Sequence, residues 1–352
     1  MWWKQLIHNR PLRWTLTVIS SGLFLYIAFR TLDWATFRNA LAEFTGQWLI
    51  PVVGIFLFSI YLRSLLWQQI VRPLAHASVW TIYRASVLSI FANILLPLNI
   101  GVVLRAYLVD REVNVGVARL LGTEMMERVY SMVGFLLVSL VAISVVQLPG
   151  ELATFRWQIS LALGGSVVLG GVFIGLLLLL RRLQIGRKGA NVNGWIERQV
   201  ARVSTRYSES VARGLDNFVR GLDVARNSRD LLMIVIYSVL IRIVLAYHAI
   251  AIGRGFGVDI PLLTMLFVEV MVTFAAVIGD QLLGLIGSYQ AAMSYALSFF
   301  GIPREIGLSL ALIATASVLV PCLVLGFLFF WMEGLAWQDL KDLANTDKTD
   351  PM

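Results

Sequence analysis

Phe91-Ala92-Asn93-Ile94-Leu95-Leu96-Pro97-Leu98-Asn99-Ile100-Gly101-Val102-Val103-Leu104-Arg105 begins apolar, breaks at Asn93, Pro97, Asn99 and Gly101, and ends on a charge. A little further on, Glu124, Glu127 and Arg128 stand at the head of another apolar run. In lipid, a freed backbone group or an ionised side chain costs several kcal/mol unless protein or a wet cavity satisfies it. A stretch this expensive marks a candidate site.

The composition around it sets the class. The chain has 352 residues, 58% of them hydrophobic and 14% charged, with mean hydropathy +0.78, whereas soluble domains are about 25% charged. It reads as an all-α, polytopic membrane helical bundle in a single domain spanning 1–352. Lys4, Arg10 and Arg13 precede the first apolar run and no clear cleavage site follows, so that run is expected to be retained. Cys322 is the one cysteine, which excludes an intramolecular disulfide or a cysteine metal site. No cofactor or metal is expected.

The apolar runs are Trp14–Phe29, Trp48–Leu66, Trp80–Leu98, Met125–Val146, Ile159–Leu180, Leu231–Ile252, Leu262–Leu283, a shorter Leu285–Phe300, and Ile306–Trp331. Most approach the roughly 20 residues that span a bilayer as a helix. Trp14, Trp48, Trp67, Trp80, Trp157 and Trp331 lie near run ends, as interfacial anchors do. The basic N-terminus, the segment holding Arg63, Arg72 and Arg84, and the insert 181–230 belong in the cytoplasm by the positive-inside rule. If every run crossed, the insert would lie outside. One run must therefore turn back, and 80–112, with its tip near Pro97 and Gly101, is the expected re-entrant hairpin.

The pattern repeats in the second half, 231–332. There 262–300 is interrupted at Gly284 and Gly287 and forms the second expected re-entrant hairpin. Asn114-Val115-Gly116 and Gly301-Ile302-Pro303 each lead into a long apolar run. About six full crossings plus two hairpins in opposite senses, the first within 1–180, make an inverted repeat, a design that places a transport site between its halves. Both termini, including the polar tail 333–352, are then cytoplasmic, and the cell membrane is the expected location.

The candidate substrate-binding residues are the polar groups inside these runs: Asn93, Asn99, Arg105, Glu124, Glu127, Arg128, Arg242, Glu269 and Asp280. Arg105 either lines a site or snorkels to headgroups. Glu124 and Glu127 share a helix face, and Glu124 can reach Arg128 at i,i+4, as a structural ion cluster or a substrate contact. Arg242 and Glu269 are candidates to pair across helices. Pro97, Gly101, Gly284 and Gly287 are hairpin-tip residues, supplying backbone freedom and close approach. His248 reads as an interior histidine with its hydrogen bond satisfied. In the insert, Ile196, Val200, Val203, Tyr207, Val211, Leu215, Phe218 and Leu222 form one apolar stripe among arginines, a basic amphipathic helix for an anionic surface and not for nucleic acid.

Phe91 to Pro97 with Gly101, Arg105-Ala106 and Glu127-Arg128, and then Gly284 to Gly287 with Gly301-Ile302-Pro303, resemble the two signatures of the lysylphosphatidylglycerol synthase transmembrane-region family, the flippase-like proteins. The resemblance implies a Glu after the first Gly, where Val102 stands, and an acid at Ser131. It also implies a Glu at Gln290, which joins the candidate substrate residues, and an Arg at Thr315. A cavity with fewer carboxylates favours an anionic substrate.

The leading expectation is a transporter or scramblase of an anionic phospholipid or lipid-linked intermediate, held in a cavity between the hairpins. A noncatalytic scaffold of an envelope-lipid or glycan assembly pathway is one alternative, and a lipid headgroup-modifying enzyme another. No His-Glu-x-x-His, nucleophile elbow or Walker loop is present, so an enzyme is not expected. Membrane lipids, anionic ones above all, are the expected partners, with a homo-oligomer or a partner enzyme as further candidates.

Overall fold

An apolar segment that leaves water must bond its own backbone, and a helix is how one segment does this unaided. The computed structural model describes residues 35, 38–39, 42–95, 100–147, 157–158, 228–276 and 287–334. Within them a 3-10 turn, Gly46–Trp48, precedes eight helices. These are α1 (Leu49–Val71), α2 (Val79–Leu95), α3 (Ile100–Val113), α4 (Val117–Val145), α5 (Ser228–Gly255), α6 (Leu262–Ala276), α7 (Ser288–Ser298) and α8 (Arg304–Met332). No strand occurs among the described residues. The runs Trp14–Phe29 and Ile159–Leu180, nearly all of the insert and the tail beyond 334 lie outside them.

Four helices are long and apolar enough to cross a membrane, with spans of 26, 29, 27 and 29 residues. At 1.5 Å per residue each reaches about 40 Å, against a hydrocarbon core of about 30 Å. They carry apolar side chains such as Ile50 and Phe327 on their exposed faces, a surface suited to lipid and not to water. The chain is thus a multi-pass helical membrane protein. The other helices are shorter, with 17, 14, 15 and 11 described residues for α2, α3, α6 and α7. They pack in consecutive pairs, α2 on α3 and α6 on α7, in the stretches expected for the two hairpins.

Two compact units divide the chain. One comprises Phe56–Val138, Leu161–Val244 and Leu319–Met352, and the other Met1–Ile55, Ser139–Ser160 and Leu245–Val318.

In the first unit α1 and α4 run antiparallel, because Arg63 meets Glu127 while Trp67 meets Thr123. The α2–α3 pair closes at Gly101, where an added methyl group would collide with the Ser89 carbonyl oxygen and with Asn93. The Gly101 N–H donates to Asn93 Oδ1 at 2.8 Å, satisfying one of the amides that a helix start leaves without a partner. Between α3 and α4, Asp110 Oδ1 accepts from the N–H groups of Val115 and Gly116 at 2.9 and 2.7 Å. Asn114 and Gly116 take φ of 51° and 97° there, left-handed backbone that asparagine and glycine tolerate best. Because this corner lets α4 begin at Val117, Glu124 and Glu127 lie about two and three turns inside the helix and not at its first turn, as the apolar run alone suggests. α2 also packs on α8, with Trp80 edge-on to Phe329 at 5.8 Å and Arg84 Nη1 2.7 Å from Glu333 Oε1.

In the second unit Gly287 precedes α7 with φ 90° and Gly301 turns the chain toward α8 with φ 78°. The Ser294 hydroxyl donates to the Arg304 carbonyl at 2.8 Å. His248 Nε2 lies 2.9 Å from Ser317 Oγ, the satisfied interior histidine expected from sequence. Each short pair is therefore followed by a corner with left-handed backbone and then by a helix of 29 residues.

Candidate functional site

Within the first unit, six side chains from α1, α3 and α4 meet. Arg63 and Trp67 are one helical turn apart on α1, Thr123, Glu124 and Glu127 share a face of α4, and Arg105 comes from α3. Arg105 Nη1 donates to Glu127 Oε2 at 2.7 Å and to Glu124 Oε2 at 3.1 Å. Arg63 Nε donates to the other Glu127 oxygen at 2.7 Å, so Glu127 is shared between two guanidinium groups. Arg105 Cζ sits 4.1 Å from the centroid of the Trp67 ring, and the Trp67 indole N–H donates to Thr123 Oγ1 at 3.0 Å.

The cluster lies at depth. Arg63 is about 12 Å from the C-terminal end of α1 and Glu127 about 15 Å from the start of α4, counted at 1.5 Å per residue. Arg105, Glu124 and Glu127 are 5%, 6% and 1% exposed. Arg63 differs, since its side chain is 54% exposed. Two guanidinium groups and two carboxylates sum to zero, which is how these charges can be buried at all. Hydrogen bonding inside the cluster is nonetheless incomplete. Arg105 Nε and Nη2 and Glu124 Oε1 are buried without a hydrogen-bond partner among the described residues. A guanidinium presents its donors in a planar fork whose geometry fits a carboxylate or a phosphate.

Of the residues expected from sequence, Arg105, Glu124 and Glu127 come together. Arg128 does not join them: it is exposed, and Glu124 is held by Arg105 and not by its i,i+4 neighbour. Trp67 is no interfacial anchor, because it is wholly buried beneath Arg105. Arg63, read from sequence only as an orientation charge, is the half-exposed arm of the cluster; the signal for it was a lone arginine inside an apolar run, four residues before a tryptophan. The Asn93 side-chain oxygen is engaged by the Gly101 amide. Arg242 Cζ lies 4.9 Å from the Phe135 ring centroid, and Glu269 is half-buried on α6. In the second unit, Gln290 Nε2 donates to Thr315 Oγ1 at 3.2 Å, so two positions where charges were implied by resemblance form a neutral pair. Asn99, Asp280, Pro97 and Gly284 lie outside the described residues. No group of three or more His, Cys, Asp or Glu side chains able to hold a metal ion occurs among the described residues.

A family model described as "Lysylphosphatidylglycerol synthase TM region" matches residues 14–326. Comparison with curated proteins and with solved structures finds no match.

Proposed function

The chain belongs to the lysylphosphatidylglycerol synthase transmembrane-region family, and from that premise we propose that it is a flippase-like carrier or scramblase that engages an anionic phospholipid or lipid-linked intermediate through its phosphate. The observation that carries the reading is the Arg63–Glu127–Arg105 relay. Arg63 is half-exposed and reachable, Arg105 is buried with unused donors, and one carboxylate oxygen pair holds both. An arriving phosphate competes with Glu127 first for Arg63 and then for Arg105, exchanging one oxyanion for another of similar geometry. Because the resting cluster is neutral, the carboxylates regain the guanidinium groups when the lipid leaves. This is binding chemistry, with no covalent step asked of the protein.

The α2–α3 pair serves this reading as a re-entrant hairpin. α1 and α4 are antiparallel spans, so the chain between them must return to the side it left. Two full crossings would do so, but the 14 described residues of α3 reach only about 21 Å. A hairpin dipping into the membrane carries Arg105, in the second turn of α3, to a depth where a charge is tolerated only against protein or water. We read the end bearing Arg72, Arg84 and Asp110 as cytoplasmic, in the cell membrane, by its basic residues. The α6–α7 pair, with its glycine-started second arm, is the second hairpin of the proposed inverted repeat.

The test is reconstitution in liposomes with headgroup-labelled lipid on one leaflet. Protein-dependent movement of phosphatidylglycerol that exceeds movement of phosphatidylcholine supports the reading; no protein-dependent movement of any anionic lipid refutes it.

A further inference from the structure

A polar cavity opens at the junction of α1 and α5, with a volume of about 410 Å³, lined by Gln69, Arg72, Arg229, Asp230 and Met233. It belongs to the same unit as the charged cluster but to another face of α1. At about 100° per residue Arg72 stands about 180° around the helix from Arg63, and Gln69 about 120°. Arg72 immediately follows the last residue of α1 and Arg229 is in the first turn of α5. Both therefore sit where a spanning helix leaves the hydrocarbon and meets the headgroups.

The charge of the lining points to an anion. Two arginines face one aspartate, and among the described residues none of the three makes an ion pair. Met233 supplies a half-buried apolar wall, and the volume falls in the roughly 300–1,000 Å³ range of small-ligand sites. Basic pockets between spanning helices at the membrane surface are suited to phosphorylated headgroups.

We propose that the cavity lined by Gln69, Arg72, Arg229, Asp230 and Met233 binds a phosphodiester, held between Arg72 and Arg229, of an anionic phospholipid in the adjoining leaflet. Asp230 faces the same space and is placed to accept a hydrogen bond from a headgroup hydroxyl, as on glycerol. This site is distinct from the Arg105 cluster, and the share of phosphatidylglycerol binding that it supplies is the share lost in Arg72→Gln/Arg229→Gln and in Met233→Trp, which leave that cluster untouched.

The test uses the full chain purified in neutral detergent, titrated with dihexanoyl phosphatidylglycerol, dihexanoyl phosphatidylcholine, sn-glycerol 3-phosphate and inorganic phosphate, with binding read by native mass spectrometry and by the shift in melting temperature. Phosphatidylglycerol should bind, and Arg72→Gln/Arg229→Gln should weaken it about tenfold or more, the worth of one or two charge-assisted hydrogen bonds. Met233→Trp, which fills the cavity without touching its charge, should weaken it as well, and Asp230→Asn should leave binding intact or tighten it for the other headgroups. Both arginines are exposed, so the double variant should melt as the wild type does without lipid. Equal responses to inorganic phosphate, lost in the double variant, would uphold phosphate recognition and overturn the lipid as its source. Unchanged phosphatidylglycerol binding in both the double variant and Met233→Trp would overturn the site.

Discussion

The guanidinium of Arg105 lies against the indole of Trp67, 4.1 Å from carbon to ring centroid. The indole N–H is engaged by Thr123, a bond that helps hold the ring face against the guanidinium. One edge, through Nη1, then meets both glutamates, and Nε and Nη2 are left over. A flat aromatic partner orients the cation without consuming its donors.

That arrangement separates two losses at one residue. Trp67→Phe keeps a ring face and loses the bond to Thr123, and should cost about 1 kcal/mol. Trp67→Leu also loses the cation–π contact and should cost about 1–2 kcal/mol more. Thermal melts in detergent check the order; equal melting temperatures for the two variants would mean the ring face contributes nothing.

Glu127 and Glu124 should be unequal. Glu127→Gln leaves both Arg63 and Arg105 short of a partner and should destabilise by about 3–5 kcal/mol, the usual cost of stranding a buried charge. Glu124→Gln removes a carboxylate that touches Arg105 alone and already has one unbonded oxygen, so it should cost less than half as much. Denaturant or thermal unfolding of the two variants side by side decides it, and equal costs would dissolve the shared-carboxylate account.

The charged members of the cluster were partly legible in the sequence, because an ionised group inside an apolar run is costly enough to stand out. That logic found Arg105, Glu124 and Glu127. It misread Trp67 and gave Arg63 only an orienting role, since a basic residue and a tryptophan near a run end commonly orient and anchor helices, and only the antiparallel docking of α1 on α4 buries Trp67 and brings Arg63 to Glu127. Asn93 was singled out as polar, yet its bond to the Gly101 amide depends on a hairpin whose tip conformation no local pattern specifies. The helices followed the apolar runs closely in the middle and less well at their ends, because Asp110 and the left-handed Asn114 set where α4 begins.

Gln290 and Thr315 were read separately, as two departures from a family pattern; in the fold they are one pair. Gln290→Glu alone and Thr315→Arg alone should each destabilise, by about 1–3 kcal/mol for a half-buried unpaired charge. The double variant should recover most of that loss by forming an ion pair. A double-mutant cycle by thermal unfolding measures the coupling, and strictly additive effects would show that the two side chains do not communicate.

The proposed topology predicts a shared side for two exposed positions flanking the first hairpin. In a Cys322→Ser background, Arg72→Cys and Arg111→Cys should both react with an impermeant maleimide from the cytoplasmic face only. Cys322 is fully buried, which makes the background variant clean. Labelling of the two positions from opposite faces would rule out a re-entrant α2–α3 pair.

The most direct measurement is the rate at which headgroup-labelled phosphatidylglycerol crosses proteoliposomes containing wild type, Arg63→Gln, Arg105→Lys or Arg105→Gln, each first shown to be monodisperse in detergent. Arg63→Gln, a half-exposed site, should fold normally and slow transfer. Arg105→Lys should retain part of the rate, because lysine keeps the charge and loses the fork, and Arg105→Gln should fall by about tenfold or more. Wild-type rates in folded Arg63→Gln and Arg105→Gln would contradict the account and reduce the cluster to a structural brace.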